Sequence, residues 1–179
     1  TYASPVTASN SIILHRGNVT FTMNATHTAN ALFRIGDTLE FPVLTLATGT
    51  LQTSAPNAVL GNGLDGIGTF NINDSDALFQ TTTATSDITV GQLGGGVMNI
   101  TNGGQVIGSD DIIIGNQATA TGTVTVNGFN PLPAPGVTSH VRTTAANGDI
   151  IVGLSGRGTI NIQAGGKVTS SDDIWIASN

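Results

Sequence analysis

The chain contains no cysteine in 179 residues, and only 9% of its residues are charged. Typical soluble domains carry roughly 25% charge. Without cysteine there is no disulfide framework, no thiolate metal site and no cysteine nucleophile. Five Lys and Arg residues against eleven Asp and Glu leave a net charge of −6. No basic stripe exists to displace counterions from a phosphate backbone, so nucleic acid is excluded as an expected partner. An anionic membrane surface is excluded on the same ground. No apolar run approaches the ~18 residues of a membrane-spanning helix. Amphipathic helices are missing too, because Gly, Thr and Asn interrupt every window that could form one.

What the sequence does have is 24 glycines, frequent Thr, Asn and Ser, and an apolar content rich in Val and Ile. That mixture favours many short strands joined by Gly- and Asn-rich turns. The first residue is Thr1 and no leader of secretory type is visible. The expectation from sequence is a processed product or a piece of a longer protein.

A repeat organises these strands. At an offset of 62, residues 87–116 (DITVGQLGGGVMNITNGGQVIGSDDIIIGN) align with residues 149–178 (DIIVGLSGRGTINIQAGGKVTSSDDIWIAS), with sixteen identities in thirty. The phrase apolar-x-apolar-Gly ends at Gly91, Gly115 and Gly153, and a degenerate copy ends at Ala177. The steps are 24, 38 and 24 residues. The long step holds NGFNPLPAPGVTSH (Asn127–His140), whose three prolines cannot continue a strand ladder and read as a loop insertion. An earlier, poorer copy is AVLGNGLDGIGTFNIND (Ala58–Asp74). Periods of this length mark repeat architectures.

Within a unit the apolar period is two. Ile112 and Ile114 point one way and Ile113 the other; Met98 and Ile100, Val124 and Val126, Ile160 and Ile162, Phe70 and Ile72 share a face, with Asn99, Thr125, Asn161 and Asn71 opposite. One such unit cannot close a core, but stacked units can, at a strand spacing of ~4.8 Å. The predicted fold is therefore all-β: a parallel β-helix, or solenoid, with rungs of about 24 residues. Two regions are expected, irregular β rungs over 1–57 (SIILHRGNVTFTMN, DTLEFPVLTLATGTL) and a repeat β-helix over 58–179 with a loop at 127–140. Because the chain stops within a fresh unit, the expectation is that its parent continues.

Candidate sites follow from the repeat. Asp87, Asp110, Asp111, Asp149, Asp172 and Asp173 fall at one corner of the unit. Paired carboxylates can perform acid–base work on a polysaccharide; the reading favoured here is turn-forming Asp that accepts nearby backbone N–H groups. Calcium at NINDSD (Asn71–Asp76) is set against the missing nonapeptide period. GNGLDG (Gly61–Gly66) matches G-x-G-x-x-G, but a strand-like segment follows it where the dinucleotide motif needs a helix. GLSGRG around Ser155 lacks the glycine spacing of a nucleophile elbow. His15, His27 and His140 have no metal spacing and are expected on the surface or in loops. Trp175 shares an outward column with Thr89, Ile113 and Ile151, either covered by a loop or open for binding. The Asn and Thr column through Asn99 and Asn161 is read first as a stacking ladder and second as a sugar-facing surface. No catalytic constellation, cofactor site or metal site is assigned; the ligand-facing candidates are Ile113, Ile151, Trp175, Asn99 and Asn161. An ice-binding solenoid needs Thr-x-Thr on every rung, and only TVTV (Thr123–Val126) offers it.

The units DIIVGLSGRGTINIQAGGKVTSSDDIWIA (Asp149–Ala177), DITVGQLGGGVMNITNGGQVIGSDDI (Asp87–Ile112) and IIIGNQATATGTVTVNG (Ile112–Gly128) resemble the passenger repeats of bacterial autotransporters of the AIDA/pertactin type. The resemblance covers residues 58–179. It implies a right-handed parallel β-helix, secreted to the cell surface and anchored in the outer membrane through a C-terminal barrel that this chain lacks. It further implies adhesion: cell aggregation, host attachment or biofilm, with virulence as the setting. The implied partners are a host or bacterial cell-surface glycan or protein, or a second copy in self-association. Passengers of protease type carry G-D-S-G, which is missing here, and no site residue is carried over. The rival reading is a carbohydrate-active β-helix enzyme or a tailspike-like polysaccharide-binding protein. It predicts an Asp/Glu pair with Arg or Lys in a groove.

Overall fold

A computed structural model describes residues 7–8, 10–22, 25–128 and 137–177. Residues 129–136, the middle of the proline-rich insertion, lie outside that range.

All described regular structure is β, in three parallel sheets. The chain visits them in a fixed order, and each full circuit lays one strand on each of three faces, here called A, B and C. Face A holds Asn18–Phe21, Val43–Leu46, Ile67–Asn73, Gly95–Thr101, Thr121–Asn127 and Arg157–Gln163. Face B runs from Thr7–Ala8 to Lys167–Thr169, and face C from Ser11–Leu14 to Ile174–Ile176, with seven strands each. The result is a β-solenoid of about six turns, as the repeat predicts.

Register confirms the inward columns. Phe70, Met98, Val124 and Ile160 are Cα partners on face A, as are Ile72, Ile100, Val126 and Ile162. On face C, Ile88, Ile112, Ile150 and Ile174 form one column and Val90, Ile114, Val152 and Ile176 another. Except in the last coil these side chains are buried, forming one continuous core. The spacing is longer than the 24 residues read from sequence. That step holds on face C between Ile88 and Ile112 and between Ile150 and Ile174. On face A the step from Phe70 to Met98 is 28 residues and from Met98 to Val124 is 26, and the whole chain averages about 27. The corners, not the strands, absorb the difference.

Glycine enforces the sharpest corner. Gly115 has φ of +77°, and a Cβ there would lie 2.4 Å from the Arg157 carbonyl oxygen of the next coil. Gly91 repeats the geometry, φ +81° and 2.6 Å from the Thr121 carbonyl. Only glycine combines a left-handed backbone with so close an approach. The apolar-x-apolar-Gly phrase is therefore the C-to-A corner, and GNGLDG is one more such turn, leading into strand Ile67–Asn73.

His27 corrects an expectation. It is fully buried on face B, not on the surface or in a loop. Its strand places it in the inward column of Leu51, Phe79, Val106, Val141 and Val168, where its ring stacks on Phe21 at 4.4 Å. His15 is exposed and His140 lies in strand His140–Thr143.

Candidate functional site

The sequence candidates divide between two faces. Asn99 and Asn161 belong to face A, in the outward column Thr45, Asn71, Asn99, Thr125 and Asn161. Asn99 Nδ2 donates to Asn71 Oδ1 at 2.9 Å, and Asn71 Nδ2 donates to Thr45 Oγ1 at 3.4 Å. Amides that satisfy one another coil to coil stiffen the stack, so at Asn71 and Asn99 the ladder reading holds.

Ile113, Ile151 and Trp175 belong to face C, in the outward column Ile13, Arg34, Val59, Thr89, Ile113, Ile151 and Trp175. Although they point away from the core, Val59, Thr89 and Ile113 are only 8%, 3% and 9% exposed. They form the floor of a groove. One wall is the column Asn57, Asp87, Asp111, Asp149 and Asp173, each two residues before a floor residue and hence on the same side of its strand. Toward the other side stand Asn62, Gln92 and Asn116, just past the corner glycines, with Asn116 Nδ2 donating to Gln92 Oε1 at 2.9 Å. Trp175, 50% exposed, is the last residue of the column and donates from Nε1 to Asp149 Oδ2 at 3.1 Å.

The acidic wall takes the second Asp of each DD phrase, Asp111 and Asp173. Asp87 Oδ1 accepts the Asp111 N–H at 3.2 Å, Asp111 Oδ1 accepts the Asp149 N–H at 2.8 Å, and Asp149 Oδ1 accepts the Asp173 N–H at 2.8 Å. Asp87, Asp111 and Asp149 bond upward to the next coil's backbone, rather than closing turns within their own coil as the sequence predicts. Burial pushes the Asp87 carboxyl up to about 6, with the charges of Asp111 and Asp110 adding to the effect. Asp111 is raised in the same way, by burial first and then by Asp110 and Asp149. Asp110 keeps Oδ1 buried without a partner among the described residues. At NINDSD, Asp74 Oδ1 accepts the Asp76 N–H at 2.9 Å and Asn73 Oδ1 takes Thr101 and Asn102. Among the described residues no three His, Cys, Asp or Glu side chains are grouped to hold a metal ion.

One constellation escaped the sequence. The turn after Leu32–Ile35 brings Asp37 and Glu40 beside Arg34, His15 and Arg16. Arg34 lies 3.6 Å from Asp37 Oδ2, while His15 Nδ1 lies 2.9 Å and Arg16 Nε 4.0 Å from the Glu40 carboxylate. Asp37 Oδ1 accepts the Thr38 N–H and the Asn62 amide, and Glu40 Oε2 accepts the Asp37 N–H. The Thr38 N–H chiefly, with Asn62, Arg34 and His15 behind it, holds the Asp37 carboxyl below the usual range. His15 and Arg16 come from the preceding coil, with His15 25 residues from Glu40, so no local motif signals their part in the cluster.

Three open depressions mark the outer surface near these groups. One of about 390 Å³ lies over Arg16, Gly17, Leu39, Glu40 and Phe41. A second of about 330 Å³ lies along the C-to-A corner by Leu64, Leu93 and Thr119. The third, of about 310 Å³, occupies the lower groove of face C between Arg34, Asn57, Val59, Asn62 and Gln92.

No family model matches the chain, and no solved structure matches it. Among curated proteins it is similar to an uncharacterized lipoprotein of Escherichia coli, YdeK, at 30% identity over 126 residues. That match covers 70% of this chain and 9% of the lipoprotein, so the chain spans about a tenth of its relative's length.

Proposed function

We propose that the chain is a stretch of a cell-envelope, surface-exposed β-solenoid of autotransporter-passenger type that acts as an adhesin, in cell aggregation, host attachment or biofilm. The observation that carries this reading is the outer wall itself: polar ladders link coil to coil along face A and face C, with an open depression at the lower part of face C. A repeated surface of this kind offers many shallow contacts, whose weak individual affinities multiply when several engage one extended partner. The lipoprotein description of the Escherichia coli relative supports the envelope location. Beads coated with the purified chain test the proposal. Saturable retention on cells, displaced by soluble chain, is expected; retention equal to albumin-coated beads contradicts it.

The carbohydrate-active alternative has one observation in its favour, the Asp37–Glu40 pair with Arg34, Arg16 and His15. A general acid needs a raised carboxyl, whereas Asp37 is lowered and both side chains are committed to backbone and cationic partners. The cluster fixes a turn, and adhesion is the better account. Release of reducing ends from a polysaccharide by the purified chain would reverse this order.

A further inference from the structure

Arg34 is the one charged residue in the floor column of face C, between Ile13 and Val59. Its guanidinium faces a single carboxylate, Asp37, at 3.6 Å, beyond hydrogen-bond distance. Nε is buried without a partner among the described residues, and the side chain remains 29% exposed at the lower end of the 310 Å³ depression. One planar N–H donor, Nε, is thus left without an acceptor among the described residues, which is costly in a buried group, while the exposed part of the guanidinium stays open to a ligand.

The rest of the depression is amide and apolar. Asn62 spends its Nδ2 on Asp37, which leaves its carbonyl oxygen to accept. Gln92 spends its Oε1 on Asn116, which leaves its NH₂ to donate. Asn57 has both functions open among the described residues, and Val59 and Pro56 supply an apolar base. The volume sits at the lower end of the roughly 300–1,000 Å³ range of small-molecule sites, in which a few placed polar groups fix orientation.

We infer that this depression binds a carboxylated sugar, a hexuronate unit of a glycan, with its carboxylate on the Arg34 fork, its hydroxyls on Asn57, Asn62 and Gln92, and its apolar ring face on Val59 and Pro56. A guanidinium presents parallel donors that match a carboxylate. Amides that offer one donor here and one acceptor there match vicinal hydroxyls. Asp37 partly neutralises Arg34, and Asp87 is the Cα partner of Asn57, so repulsion rises with ligand charge and a singly charged carboxylate is favoured over a dianionic phosphate. The inference rests on the adhesin reading and names the chemistry of its ligand.

The test is a backbone-amide NMR titration of the described chain with glucuronate, with glucose and inorganic phosphate as controls. Glucuronate should shift the amides around Leu32–Arg34, Asn57–Asn62 and Gln92, with glucose weaker by roughly 10- to 100-fold, the range set by a charged hydrogen bond. Arg34→Lys keeps the charge but loses the fork and should reduce glucuronate binding toward the level of glucose; Gln92→Ala, on another coil, should weaken both sugars and serves if the first variant misfolds. Equal binding of glucose, tighter binding of phosphate, shifts confined to other faces, no shifts at all, or unaltered binding by both variants overturns the inference. Cell adhesion separates the two levels. Beads that hold cells without any glucuronate response sink the sugar site and leave the adhesin; a glucuronate response without adhesion does the reverse.

Discussion

The lower and upper coils close the same three-sheeted tube with different interiors. In the lower coils one phenylalanine from each face meets at the axis: Phe33 from face C, Phe70 from face A and Phe79 from face B. Their ring centroids are 5.0 to 5.9 Å apart, and Phe70 meets Phe79 edge-on at 74°. Phe21 and His27 stack below them. In the upper coils the same columns continue as Ile88, Ile112 and Ile150, as Met98 and Val124, and as Val106 and Val141. The steps follow suit: face C advances 21, 25 and 30 residues from Ile12 to Phe33, Ala58 and Ile88, against 24 from Ile88 to Ile112, 38 across the loop insertion to Ile150, and 24 again to Ile174. A parallel tube of fixed cross-section can thus be filled by identical layers or by a few large rings spread over neighbouring layers. Only identical layers write a period into the sequence.

The difference should be largest in the cost of truncation. Phe79→Ala removes a ring shared by two others and should lose about 3–5 kcal/mol in urea unfolding, whereas Ile112→Val trims one layer of many and should lose about 0.5–1.5 kcal/mol. Similar losses would mean that the aromatic centre repacks freely.

Corner glycines come next. Gly17, low in the coil, has φ of +80° and nothing within 4 Å of an added Cβ, so Gly17→Ala should cost only the left-handed penalty of about 1–2 kcal/mol. Gly115→Ala adds a clash with the Arg157 backbone and should cost clearly more in the same assay.

This is where the sequence was most and least informative. Gly91 and Gly115 recur because each coil presses on the next at the same corner, and Gly153 shares their left-handed backbone, so the period, the strands and the inward Ile and Val columns are legible. The aromatic centre is not, because Phe33, Phe70 and Phe79 occupy different faces and share no spacing. The burial of His27 is hidden for the same reason: its column emerges only in three dimensions, with Leu51 and Phe79 above it. Among site residues, the outward column of Ile113, Ile151 and Trp175 could be read from period two. Its burial could not, since the walls come from flanking positions. The Asp column was seen as a corner, but its bonds run between coils and leave no local signature. Arg34 leaves no such signal, because it stands in the irregular part of that column, between Ile13 and Val59.

Acid should act on the two regions in opposite directions. Burial holds His27 below its ordinary 6.5. Its neutral form suits the fold above that value, and stability is lost as pH falls below 6.5, where the unfolded chain takes up the proton. Asp87 is raised from 3.8 to about 6; the folded chain holds that proton more tightly, so stability is gained as pH falls through 6 toward 3.8. Between pH 7 and 5, His27→Leu should therefore remove a loss and Asp87→Asn a gain, read as changes in the pH slope of the urea midpoint. The Asn side chain still accepts the Asp111 N–H, so the fold should be kept.

The smallest effect should be at the top of the groove. Trp175→Phe deletes the bond to Asp149 at a half-exposed position and should cost about 1 kcal/mol or less.

The stacking of one coil on the next is tested most directly by paired cysteines, in a chain that has none of its own. Asn99 and Thr125 are outward Cα partners on face A, while Val124, one residue earlier, points into the core. Asn99→Cys with Thr125→Cys should oxidise to an intramolecular disulfide with no loss of thermal stability, and Asn99→Cys with Val124→Cys should not. Ready oxidation of the second pair, or none of the first, would contradict the coil.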